Sequence, residues 1–195
     1  MLGRQRWRLR AAHGGFDVNL PAEERELLRE LPGHVESALG EVAAGEPVPE
    51  HLRRLFPVAN PRDEQAETRF VETTRAPLLA HHRAALAVLA ESADARHLTH
   101  EEGELWLAAL NTLRLVLGSS LGVSEDSGEP DPEDPRYADW ICYHYLSYLA
   151  SEMIDLLSAS LPPPIPGADD ELPDDPWGEP LGGLRWDGTP LPEQP

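Results

Sequence analysis

The chain has no lysine: all sixteen of its basic residues are arginine. That absence excludes a Walker phosphate loop, a Schiff-base lysine and a pyridoxal-phosphate anchor, each of which needs an ε-amino group. There is one cysteine, Cys142. No disulfide can therefore form within the chain, and the chemistry fits a reducing cytoplasm. No run approaches eighteen uninterrupted apolar residues, so no membrane span is predicted. The basic N-terminus lacks a following apolar h-region, so it does not read as a secretory signal.

What the chain has in excess is acid, with a formal net charge of −19 over 195 residues. The charge is uneven. Residues 1–20 carry four arginines against the single Asp17, whereas residues 124–136 and 161–195 are strongly acidic. A field of this sign repels a nucleic-acid backbone at long range, and salt screens it beyond about 8 Å. Many of the twenty prolines fall in residues 161–195. That leaves about 160 residues to fold, enough for one core without disulfide or metal. The predicted organisation is a single domain over 1–160, with a hairpin at 1–20, and a Pro-rich acidic tail over 161–195 expected to be disordered.

Residues 6–20, around "WRLRAAHGGFDVNL", read as a β-hairpin. Trp7 and Leu9 alternate with arginines, "HGG" supplies the turn, and Phe16, Val18 and Leu20 alternate on the return. Those five apolar side chains are expected in the core. From Pro21 to about Ala44 the apolar spacing is helical, with Pro32 in the middle. One kinked helix is the reading, two short ones the alternative. "LFPVANP" at 55–61 is a rigid connector after a short helix. Amphipathic stretches follow at 63–74 and 76–92, with Pro77 starting the second. Residues 101–121 are apolar nearly all round, only Asn111, Arg114 and Gly118 marking a polar stripe, so this helix belongs at the centre. A last helix is predicted over 137–160. The fold class is mainly α: a bundle of about five helices with a small N-terminal hairpin.

"GSSLG" at 118–122 matches G-x-S-x-G, with Ser120 as the would-be nucleophile and Asp139 and His144 following in the α/β-hydrolase order. The motif has meaning only on a strand–turn–helix elbow. Here a long helix precedes it, so two glycines closing a helix are the favoured account and a serine esterase is a remote alternative. His82 falls on an apolar face and reads as a core histidine with one hydrogen bond, not a ligand. Thr99 and Glu102 form a capping box at the start of the central helix. The acidic loop 124–135 lacks the register of a calcium loop. No metal and no cofactor are implied, and no enzyme.

Cys142 shares the apolar stripe of the last helix with Leu146, Leu149 and Met153, where thiols are usually buried and inert; a redox role is its alternative. The opposite face carries Trp140, Tyr143, Ser147 and Ser151. It serves either intramolecular packing or a homodimer surface. Arg114 beside Asn111 needs a partner for its charge, and structural pairing is favoured over an anion pocket. Arg4, Arg6, Arg8 and Arg10 occupy every second position. They would track a phosphate backbone, dock an acidic protein, or form the solvated face of an edge strand; residues alone favour the last.

Three segments, "LRRLFPVANPRDEQAETRF", "LWLAALNTLRLVLGSSLGV" and "YADWICYHYLSYLASEMIDLL", carry a resemblance. There the chain resembles an actinobacterial family long carried as a domain of unknown function and often named AosR, for oxidative-stress transcriptional regulator. The likeness covers roughly residues 4–160. It implies a cytoplasmic, non-enzymatic, mostly helical regulator that contacts the transcription machinery, often encoded beside the Clp protease adaptor. An adaptor role in Clp-dependent proteolysis is the alternative that this neighbourhood suggests. A switch built on two thiols in one chain cannot operate here, because Cys142 is alone. The tail, with "DDPWGEPLGGLRWDG" around Trp177 and Trp186, lies outside the resemblance.

Overall fold

A computed structural model describes residues 7–43, 47–124 and 128–161. The chain divides into a compact unit, Met1–Ser160, and the segment Leu161–Pro195, of which only Leu161 is described. The predicted tail therefore lies outside the described residues, as do Arg4, Arg6, Trp177 and Trp186.

The hairpin forms from Leu9–Ala12 (β1) and Gly15–Val18 (β2), antiparallel, with Leu9 opposite Val18 and Ala11 opposite Phe16. Gly14 takes φ +77 in the turn, a conformation open to glycine at no steric cost. Leu9, Phe16, Val18 and Leu20 are buried as the alternation predicts. Trp7 is not: it stands before the first strand, 37% exposed. The side-chain alternation that would turn it inward has not begun there. A third strand, His97–Thr99 (β3), pairs with the other edge of β2 and buries Leu98 opposite Phe16. Nothing in the residue pattern predicts it, since three residues cannot display a period of two.

Ala22–Ala43 (α1) runs unbroken through Pro32, with Leu28, Val35, Leu39 and Val42 on the buried stripe. After a 3-10 helix, Glu50–Leu55, the connector is clamped by one carboxylate. Glu67 Oε2 accepts from the amides of Ala59 (3.0 Å) and Asn60 (2.7 Å). Glu64–Glu91 (α2) is a single helix, not two stretches parted at Pro77. Proline deletes one backbone bond there, and the continuous stripe of Leu79, Leu86 and Leu89 holds the helix across the gap. Just upstream, Thr73 and Thr74 turn their hydroxyls back on the carbonyls of Arg69 and Phe70.

His100–Leu121 (α3) is the central element, packed on α1, on α2, on the 3-10 helix and on Tyr137–Ala159 (α4). The capping box at Thr99 and Glu102 starts it, and Gly122, at φ +69, ends it. Trp106 is fully buried, its indole N–H donating to Ser92 Oγ at 2.7 Å. The expected polar stripe of α3 splits. Asn111 is exposed and Arg114 half-buried, but Gly118 is buried beneath the Tyr143 ring. Among the described residues no helix is long and apolar enough to cross a membrane.

Candidate functional site

The arginine stripe does not stay a stripe. Arg8 reaches inward to Glu24 at the start of α1, with Nε 3.2 Å from Oε2 and Nη2 2.6 Å from Oε1. The Tyr145 hydroxyl, on α4, donates to the same Glu24 Oε2 at 2.8 Å. Burial and the adjacent Glu24 push the Tyr145 phenol far above its ordinary range, so it remains a neutral donor. Arg8, Glu24 and Tyr145 thus tie hairpin, α1 and α4 together, a structural use that no sequence pattern announced.

Arg10 turns outward. It bonds Asp17, its cross-strand neighbour, through Nε (3.1 Å) and Nη2 (2.7 Å), and its guanidinium lies 4.3 Å over the Trp7 ring. His97 on β3 reaches the other Asp17 oxygen at 3.3 Å. Hydrogen bonds from Arg10 and His97 hold the Asp17 carboxyl below the usual carboxylate range. Each described arginine of the stripe therefore has its own carboxylate, and the row of four free cations expected on a phosphate-tracking ribbon is not present at Arg8 and Arg10.

Beside Trp7 lies a cleft of about 630 Å³, lined by Trp7, Asp17, Asn19, Arg25, Asp94 and Arg96. Arg25, in the first turns of α1, is fixed by three backbone carbonyls: Leu20 (2.9 Å), Ala93 (3.0 Å) and Ala95 (3.0 Å). It fastens the entry of α1 to the turn after α2, and it is a second residue that residue spacing gives no means of finding. Asp94 is held at the rim by Arg29 at 2.7 Å. This corner offers an aromatic face, a stacked guanidinium and an anchored arginine on a rigid support. Among the described residues no three His, Cys, Asp or Glu side chains converge to hold a metal ion.

The remaining candidates are dispersed. Cys142 is half-buried in α4, and burial together with Asp139 pushes its thiol up to about 11. At pH 7 roughly one thiol in ten thousand is then ionised, too few for a reactive thiolate. The α4 face of Trp140, Tyr143, Ser147 and Ser151 divides in two. Trp140 stacks on Tyr137 and leans on His144, and Tyr143 covers Gly118, so the first half is engaged within the chain. Ser147 and Ser151 line an open groove against α3. His82 is half-buried rather than in the core, and its Nδ1 pairs with Thr112 Oγ1 at 2.9 Å. Ser120 is exposed within the last turn of α3, not on a strand–turn–helix elbow.

Fold and site together define a small helical domain faced by a three-stranded sheet. The family model described as a domain of unknown function, DUF2017, matches residues 4–157, and the chain belongs to that family. No curated protein and no solved structure matches it.

Proposed function

We propose that this is a non-enzymatic cytoplasmic regulator that acts by contact with a protein partner, using the Trp7–Arg10 corner of the hairpin. The observation that carries the reading is the Arg10 guanidinium stacked on an exposed Trp7 and bonded to Asp17. Tryptophan and arginine held rigid on a surface are the residues that most often concentrate binding energy. The likeness to AosR-type oxidative-stress regulators supports a partner in the transcription machinery. The raised Cys142 thiol argues that regulation here does not run through that cysteine.

The test is binding of purified RNA polymerase holoenzyme, and in parallel of the Clp adaptor, to the full chain and to a Trp7→Ala/Arg10→Ala variant. Loss of polymerase binding in the variant, with the same loss of regulation in cells, is the expected result. Adaptor binding alone moves the protein to the proteolysis role. Unchanged binding and regulation in the variant end the proposal. Direct DNA contact competes for the same arginines. At Arg8 and Arg10 a phosphate would have to displace a bonded carboxylate, so fluorescence anisotropy on duplex DNA should show only a weak low-salt signal.

A further inference from the structure

α3 and α4 lie side by side and antiparallel. A Cβ on Gly103 would sit 3.5 Å from Met153 Sδ, and one on Gly118 would sit 3.1 Å from the Tyr143 ring. Their outer surfaces enclose an open groove of about 590 Å³ with an apolar floor of Leu107, Ala108 and Ala150. Ile154, on its wall, is 49% exposed.

The charges on this face are placed at its two ends. Glu104 and Arg114 both line the groove, ten residues apart on one helix, which separates them by about 15 Å along the axis. They cannot pair within the chain. Arg114 bonds the amide oxygen of Asn111 at 2.7 Å, and no described carboxylate reaches it, in a chain of net charge −19. Glu104 has only the His100 ring, 3.6 Å away. On α4 the large Ile154 lies towards the Glu104 end and the small Ser147 towards the Arg114 end, as the antiparallel pairing of the two helices requires.

We propose that this groove docks a second copy of the chain. The two-fold axis lies in the interface, perpendicular to both helices and level with Ala108 and Ala150. That operation lays α3 on the second copy's α3, antiparallel, and α4 on its α4. Glu104 then meets the second copy's Arg114, and Ile154 meets its Ser147, each contact occurring twice as an isologous interface demands. Charge and size become complementary under one operation. Running the axis along the helices instead would lay α3 on α4 and leave both charges unmatched. Self-association on this face is independent of the hairpin reading, because it involves neither Trp7 nor Arg10.

Sedimentation equilibrium on the full chain tests it, with Arg114→Glu, Glu104→Arg and the double reversal. Glu104 is exposed and Arg114, half-buried, lines the open groove, so each variant should unfold thermally close to the wild-type midpoint. Each single reversal opposes like charges at two symmetric points and should weaken the dimer at least roughly ten-fold. The double reversal restores opposite charges between copies and should recover wild-type association. Ser151→Arg, which fills the groove, should leave a folded monomer. A wild-type chain that is monomeric at every concentration, or a double reversal as weak as the singles, overturns the proposal. The second outcome, with the wild type still dimeric, would mean that the copies meet in another arrangement.

Discussion

The helical bundle and the sheet that caps it are held by different chemistry. In the bundle, α3 buries Trp106, Leu110 and Leu113 against its neighbours, and polar groups there are paired, the Trp106 indole with Ser92 and the Thr112 hydroxyl with the His82 ring. The sheet has strands of four, four and three residues and sends only a few side chains inward, Phe16 and Leu98 among them. Its position depends on directional contacts: Arg8 and Tyr145 both donating to Glu24, Arg25 on three carbonyls, and Gly15 pressed against Leu98. Apolar burial tolerates exchange of residues of like volume, whereas a directional contact is lost with one atom. The bundle therefore carries most of the stability and tolerates exchange of like volumes, whereas the sheet is held in place by single directional contacts.

The largest effect should come from the bundle. Trp106→Ala removes the largest fully buried side chain among the described residues, together with the hydrogen bond its indole N–H gives Ser92 Oγ. A loss of about 3–5 kcal/mol in urea denaturation is expected. A smaller loss than that of Gly15→Ala would reverse the comparison. Gly15→Ala comes second. Its Cβ would lie 1.9 Å from the Leu98 carbonyl oxygen, and backbone cannot swing aside as a side chain does. The cost should be about 1–3 kcal/mol, confined to the sheet. Hydrogen exchange should show it as faster loss of the Val18 amide, which donates to the Arg96 carbonyl, with the α3 interior unchanged.

How much of this was legible follows the same division. The apolar period of α1, α3 and α4 and the capping box at Thr99 follow from spacing, because helix packing repeats over many residues. The unbroken α2 was not foreseen, since a proline signal is local and the stripe that overrules it spans the whole helix. The sheet was half legible. The hairpin shows in its alternation, but β3 is too short to carry a pattern, and Arg25 and Glu24 find their partners on elements that residue order does not bring near. The candidate site fared likewise. Arg8 and Arg10 share one alternating stripe in the sequence, and the fold turns one inward and the other out.

A pH experiment probes the half-buried His82 ring of the bundle. Burial, then the nearby His81, hold the His82 imidazole below its ordinary value, the Leu55 backbone acting weakly the other way. The folded chain keeps the ring neutral while the unfolded chain takes the proton first. Stability from this group is thus complete above the ordinary histidine value of about 6.5, and is lost as pH falls through it towards the lower folded value. The thermal midpoint should drop between about pH 7 and pH 5.5, and His82→Gln should flatten that drop. Equal slopes in the two proteins would place the proton elsewhere.

The smallest effect on stability, and the sharpest contrast, lies between the two arginines of the hairpin. Arg8→Ala removes both bonds to Glu24 and leaves a half-buried carboxylate with the Tyr145 hydroxyl as its remaining donor among the bonds described here. It should shift the denaturation midpoint measurably. Arg10→Ala opens an exposed pair whose members water solvates readily, so its midpoint should match the wild type. Binding to the partner should rank them the other way, with Arg10→Ala weakening it and Arg8→Ala affecting it only as far as the hairpin loosens. If both variants move stability and binding in proportion, the hairpin is a single structural unit and the corner at Trp7 has no separate role. If the two readouts part, one arginine serves the fold and the other faces the partner.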